Sequence, residues 1–245
     1  MAGVVLAAGL GERLRPLTVL RPKALCPVAN VPLVDLAMAR LAPTVGAVAV
    51  NVHHHRGALE DHLTGLAHCS VEDELLGTAG ALGKLRGWLD GRPAVVVNAD
   101  TWCPGGVEPL LEGWDGERIR VLVAGGDQLE ATSVVAGAVL PWAELARLEP
   151  VPSWLYWDSW LPALEAGHLE VVRYGEPVID CGTPAGYLRA NLAANGGASV
   201  VAEGAVVEGE LVRSVVWSGA RVRPGEVVVD GIRYERERTV FVRGR

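Results

Sequence analysis

Gly3-Val4-Val5-Leu6-Ala7-Ala8, closed by Gly9-Leu10-Gly11, is a short apolar run that stops at glycines, the pattern of a buried strand entering a tight turn. Working outward, residues 32–42 place Leu33, Leu36, Ala37 and Leu41 at helical spacing, and residues 46–52 read as a second strand. Residues 58–66 and 79–89 read as helices, and residues 93–97 form a third apolar run ending at Asn98-Ala99-Asp100. This alternation predicts an α/β fold, a Rossmann-like, mostly parallel sheet with helices on both faces. Ligands of such sheets sit beyond the carboxyl ends of the strands, where residues 9–13 and Asp100 fall. Further along, residues 120–124 and 133–140 look like strands and 157–166 and 184–195 like helices, while 178–180 is a short strand ending in a carboxylate.

The turn after the first strand carries the strongest chemical signal: Gly9-Leu10-Gly11-Glu12-Arg13-Leu14-Arg15-Pro16-Leu17-Thr18, then Arg21-Pro22-Lys23. Two glycines let the backbone approach an anion and aim several N–H groups at it. Arg13 adds a planar fork suited to phosphate oxygens, and Lys23 a compact charge from another side. The third glycine of a dinucleotide fingerprint is missing, Pro16 cuts short the helix that would follow, and no Gly-Lys-Ser/Thr of a Walker loop follows.

With 245 residues, 50% of them hydrophobic, the chain can form one large domain or a domain with a small appendage. A net charge of -7 argues against nucleic acid as a partner. No stretch is long enough to span a bilayer, so no membrane partner is expected. The apolar start lacks the basic region of a signal peptide. Cys26, Cys69, Cys103 and Cys181 form no C-x-x-C pair and read as free thiols of a reducing compartment, which predicts a cytoplasmic protein.

The G-x-G-x-R…P-K spacing resembles the signature of sugar-1-phosphate nucleotidylyltransferases. The resemblance implies nucleotidyl transfer from an NTP to a sugar 1-phosphate, giving an NDP-sugar and pyrophosphate with Mg²⁺ as cofactor. By position it implies that Leu6, Ala8, Gly9 and Gly11 hold the nucleotide and that Arg13 and Lys23 are catalytic, steadying the phosphates. Glu74-Leu75-Leu76-Gly77-Thr78-Ala79-Gly80 resembles the family's loop beside the nucleobase, adding Glu74, Gly77 and Thr78. There, small residues at a helix start let a flat ring lie against the backbone; read alone, the segment is a helix start capped by Thr78. Val97-Asn98-Ala99-Asp100-Thr101-Trp102 resembles the strand end bearing the first metal carboxylate, so Asp100 is implied as both catalytic and metal-binding. Val178-Ile179-Asp180-Cys181-Gly182-Thr183-Pro184 resembles the segment bearing the second, Asp180. Two carboxylates suit a reaction in which two anions must meet, because Mg²⁺ prefers oxygen ligands and can bridge phosphates. The likeness runs from residue 2 to about 232.

Other features leave choices open. Consecutive His53, His54 and His55 after a strand point in alternating directions, which argues against a metal site, and the similar Asn-x-His-His stretch of the resembled family implies a loop near the nucleotide. Trp154, Tyr156, Trp157 and Trp160 can pack in the core or stack on a sugar ring. Many members of the resembled family carry a mid-chain lysine for the sugar phosphate, but Lys23 and Lys84 are the only lysines here. Either Arg118, Arg120 or Arg173 substitutes, or the contact is absent. The missing lysine and the Asn-x-His-His texture look like the subgroup making uridine-diphosphate muramic sugars. Gly77-Thr78-Ala79-Gly80 and the tail look more like mannose-1-phosphate guanylyltransferases. GTP and UTP are therefore both favoured, and a catalytically silent, nucleotide-sugar-binding regulatory paralogue is the alternative function.

After Asn195-Gly196-Gly197 the chain becomes rich in Val and Gly. Glu203-Gly204-Ala205-Val206-Val207 and Ser218-Gly219-Ala220-Arg221-Val222 resemble hexapeptide repeats of a left-handed β-helix, with a pair of ordinary hairpins as the alternative. At about 18 residues per coil, residues 200–232 make about two coils, fewer than a stack needs to stand alone. The predicted division is a catalytic domain over 1–197 and a short β-helix-like segment over 198–245. That segment should lean on the catalytic domain or on a second subunit, which keeps a homodimer open. Two coils are too few for an acyltransferase site.

Overall fold

Residues 1–242 are described in the computed structural model of the protein, where the opening apolar run is an interior strand of a seven-stranded sheet. The strands are β1 (Ala2–Leu6), β2 (Val48–Val52), β3 (His68–Val71), β4 (Ala94–Asn98), β5 (Ile119–Ala124), β6 (Val135–Leu140) and β7 (Leu169–Tyr174). They lie in the order β7-β5-β6-β4-β1-β2-β3. Only β6 is reversed, running antiparallel to both β4 and β5. Helices α1 (Leu33–Leu41) and α2 (Arg56–Leu63) cover one face, with Val34, Leu41, Leu59 and Leu63 in its core. Helix α3 (Gly77–Leu89) covers the other through Leu82, Leu85 and Leu89, joined by Leu155 and Trp160. Val4 enters one core and Val5 the other, so β1 needs apolar side chains on both sides and reads as an unbroken run.

Both strands absent from the sequence reading are sheet edges. His68-Cys69-Ser70-Val71 has no apolar run, and Leu169-Glu170-Val171-Val172-Arg173-Tyr174 interleaves charges because one side of its ladder is open. The helix expected over 157–166 divides into a widened π-turn, Tyr156–Trp160, and a short helix, Leu161–Glu165. Pro162, which has no N–H to donate, sits at the junction.

The tail forms β-helix-like coils. Val200 pairs in parallel with Val215, Val206 with Arg221, and Glu210 with Val227, so each coil stacks on the next at a spacing somewhat below the expected repeat. Arg238–Phe241 folds back antiparallel on Gly231–Tyr234 beyond the last coil. The tail leans on the main domain: Val200, Val215, Trp217 and Ile232 share a core with Leu14, Leu17, Cys26 and with Tyr187 and Leu188 of α4 (Pro184–Ala194). Trp217 Nε1 donates to the Tyr187 hydroxyl at 3.0 Å, which donates in turn to the Pro27 carbonyl. The Arg21 guanidinium lies 4.4 Å from the Trp217 ring centroid. The tail thus grips the segment that carries Lys23.

Cys26, Cys103 and Cys181 are buried and Cys69 is half-buried. Burial pushes the Cys26 and Cys181 thiols up to about 12, which removes both as thiolate nucleophiles at neutral pH. A thiol reagent should therefore label Cys69 first in the native protein, with the other three reacting only in denaturant. Rapid labelling of Cys26 or Cys181 without denaturant would contradict this packing. Among the described residues no helix is long and apolar enough to cross a membrane.

Candidate functional site

A cleft of about 420 Å³ opens at the carboxyl ends of β1 and β4. Leu6, Ala8, Gly9, Lys23, Gly77, Thr78 and Asp100 all line it, so most of the expected site residues are brought together. Asn51, Glu72, Asn98 and Trp154 line it as well.

The glycine turn is built for close approach. Gly11 has φ of 66°, and a Cβ there would come within 2.8 Å of the Thr18 methyl, whose hydroxyl donates to the Gly11 carbonyl at 2.8 Å. The N–H groups of Gly9, Leu10, Gly11 and Glu12 find no acceptor among the described residues. Unpaired backbone donors in succession form a nest for an anion.

Lys23 opens a 3₁₀ turn and donates its ammonium hydrogen bond to the Asp100 carboxylate. The two side chains are 14% and 30% exposed, so this pair is shielded more than a surface ion pair. Thr101–Trp102, directly after Asp100, pairs antiparallel with Ile179–Asp180, and Cys181 N donates to the Asp100 carbonyl at 2.8 Å. Asp180 therefore stands beside Thr101, the residue directly after Asp100. Asp180 accepts from Gly182 N at 2.7 Å and lies 3.5 Å from the Arg13 guanidinium. Arg13 and Asp180 are more open to water and sit outside the cleft lining, as does Gly11. Two carboxylates, with no third His, Cys, Asp or Glu grouped with them among the described residues, suit a hard, water-rich cation such as Mg²⁺. They do not suit zinc, which takes three or four protein ligands.

Glu72 and Asn51, 2% and 3% exposed, form a buried network that the sequence did not reveal. Asn51 accepts from Ala7 N at 2.7 Å and donates to Glu72 Oε1 at 2.8 Å. Glu72 Oε2 accepts from Leu76 N at 3.0 Å, tying the loop before α3 to β1 and β2. His53 Nδ1 lies 2.8 Å from the Glu72 carbonyl and donates to it, and none of the three histidines lines the cleft. Glu72 precedes Asp73 and Glu74, so it reads as part of a solvated acidic run. Glu74 is exposed and lines a separate depression with Lys84 and Arg86 rather than the cleft.

The small residues of α3 also make room for another part of the chain. A Cβ on Gly77, Gly80 or Gly83 would overlap the backbone of Ser153, Val151 or Glu149 respectively. Their shared face is occupied by residues 149–153, held by Ala79 N donating to the Ser153 carbonyl at 3.1 Å. Thr78 is no cap: Leu76 holds that position without a side-chain bond, and the Thr78 hydroxyl accepts from Leu155 N at 2.8 Å. These contacts deliver Trp154 to the cleft. Gly80→Ala should lower stability by about 1–3 kcal/mol through overpacking, although alanine is the better helix former. An unchanged or raised thermal midpoint would contradict the close packing.

A second compartment of about 320 Å³ shares Leu6, Thr78, Asn98 and Trp154 with the cleft and adds Ser133, Tyr156, Trp157 and Trp160. The aromatic cluster thus divides its duties: Trp160 is 9% exposed and part of the core, whereas Trp154 and Trp157 are 54% and 59% exposed. Of the arginines offered for the missing lysine, Arg118 and Arg120 lie at the wrong end of β5. Arg118 is bound to Asp115, and Arg120 to Glu170 and the carbonyls of Leu110 and Glu112. Arg173, exposed near the carboxyl end of β7, is the one on the cleft's side of the sheet.

A family model described as nucleotidyl transferase matches residues 2–132. An N-acetylmuramate alpha-1-phosphate uridylyltransferase of Caulobacter vibrioides is 39% identical over 132 residues, 48% of this chain and 54% of that protein. A mannose-1-phosphate guanyltransferase of Pichia angusta is 38% identical over 122 residues, 46% of this chain and 34% of that protein. The likeness thus spans about half the length of the first relative and about a third of the second. Among solved structures, a UDP-glucose pyrophosphorylase of Acinetobacter baumanii superposes with a TM-score of 0.65 at 16% identity, covering 78% of this chain and 92% of that one.

Proposed function

The chain belongs to the nucleotidyl transferase family, and on that premise we propose that its cleft joins an NTP to a sugar 1-phosphate with release of pyrophosphate. The observation that carries this reading is the Lys23–Asp100 pair beside the free N–H groups of the glycine turn. The turn receives the triphosphate, and Arg13 at the mouth pairs with its outer oxygens. Lys23 is released from Asp100 onto a phosphate oxygen, which frees the carboxylate. Asp100 and Asp180 would hold Mg²⁺, which when bound supplies charge neutralisation between the two reacting phosphates. The base lies along the loop at Gly77 and Thr78, whose position is set by Glu72. The sugar lies in the aromatic compartment against Trp154 and Trp157. No side chain need remove a proton, because the attacking sugar phosphate is already ionised; positioning and electrostatics carry the reaction. UTP and GTP are the favoured donors, in line with the names of the two sequence relatives.

Titration of Trp fluorescence with UTP and GTP tests the first step. At least one should bind, more tightly with Mg²⁺ present, and Lys23→Met should weaken binding about tenfold or more. Failure of every nucleotide to bind would remove the reading. A silent sensor is the second reading, favoured by the burial of Arg120 away from the cleft and the lack of a mid-chain lysine. It requires nucleotide binding without any pyrophosphate release.

A further inference from the structure

We propose that the aromatic compartment selects sugar 1-phosphates that are uncharged apart from their phosphate and rejects those bearing a carboxylate. The proposal rests on the reading of the cleft as a nucleotidyl transfer site. Among the described residues no Lys, Arg, His, Asp or Glu lines the compartment. Its polar groups are neutral: the Asn98 amide, the hydroxyls of Thr78, Ser133 and Tyr156, and the indole N–H of Trp160, which is buried and has no partner among the described residues.

Neither lysine lines the compartment. Lys23 is bound to Asp100, and Lys84 donates to the Val71 carbonyl. The charged side chains flanking the compartment in sequence are acids. Asp127 and Glu130 precede Ser133, and Asp158, which accepts from Trp154 N at 2.6 Å, follows Trp157. A carboxylate entering here would lose its water without gaining a cation, and it would face the negative faces of Trp154 and Trp157. Hydroxyls and an acetamido group suffer neither penalty, since neutral donors and acceptors pair with the groups present and C–H faces stack on the indoles. The sugar's own phosphate is spared because the compartment opens through Leu6, Thr78, Asn98 and Trp154 into the cleft, whose wall carries Lys23.

Calorimetric titration of the full chain with matched pairs tests this, with Mg²⁺ present. The pairs are glucose 1-phosphate against glucuronic acid 1-phosphate, and N-acetylglucosamine 1-phosphate against N-acetylmuramic acid 1-phosphate. The neutral member of at least one pair should bind at least tenfold more tightly than its acidic partner, the scale of an uncompensated buried charge. Ala131→Lys, which places a cation on the compartment's exposed edge, should narrow that gap severalfold. Equal or tighter binding of the acidic members would overturn the proposal. So would the absence of binding by all four, or a gap that Ala131→Lys leaves untouched. Pyrophosphate release, followed in parallel with UTP and GTP, keeps the two claims apart. A neutral-sugar preference without release sinks the transfer reading and leaves the selectivity standing.

Discussion

Asp100→Ala is expected to lower pyrophosphate release by about a hundredfold or more, the usual cost of removing one charged contact to a transferring phosphate. Two effects combine. The substitution takes away one carboxylate of the proposed metal pair with Asp180, and it leaves Lys23 without the carboxylate its ammonium donates to. Because the Lys23 side chain is only 14% exposed, the unpaired cation should also cost some stability. Asp100→Asn, which keeps the shape and loses the charge, separates the two. It should retain most of the thermal midpoint and still lose turnover. Near-normal rates in either variant would remove Asp100 from the chemistry, and Asp180→Ala applies the same test to the second carboxylate.

Trp217→Ala should destabilise the protein by about 3–5 kcal/mol, the range for truncating a buried large aromatic. Trp217 is 2% exposed, packs edge-on to Tyr187 and Tyr234, and donates to the Tyr187 hydroxyl. Its face carries Arg21, two residues before Lys23. The loss should therefore reach the active cleft: at a temperature where the variant is still folded, turnover falls although the substitution touches no lining residue. Trp217→Phe keeps a ring under Arg21 but loses the N–H, and it should sit between the two. Urea unfolding measures the first effect and pyrophosphate release the second. Unaltered stability in Trp217→Ala would mean that the tail is an appendage rather than a buttress.

How much the sequence revealed followed from how locally each feature is encoded. β1, the glycine turn and the place of Asp100 just past β4 are contiguous or bound by short spacing, and they were legible because a buried parallel strand and a tight glycine turn each constrain adjacent residues. The tail was legible through its repeat. Edge strands β3 and β7 were not, since an open ladder edge tolerates polar residues such as His68, Ser70 and Arg173. Glu72 was hidden for the same reason: its role depends on Asn51, which reaches it only once β2 and β3 pair. Gly80 and Gly83 were visible as small residues, but what fills their space, residues 149–153, is remote in sequence. Arg120 looked available for a phosphate until the fold surrounded it with Glu170 and the backbone carbonyls after Leu110.

The central claim is tested most directly by pyrophosphate release with Mg²⁺, crossing UTP, GTP, dTTP, ATP and CTP against glucose-, mannose-, N-acetylglucosamine- and muramic-type 1-phosphates. The account predicts release that needs both substrates and the metal, strongest with UTP or GTP and a neutral sugar, and lost in Asp100→Asn. Nucleotide binding with no release from any pair would contradict it and make the cleft a sensor.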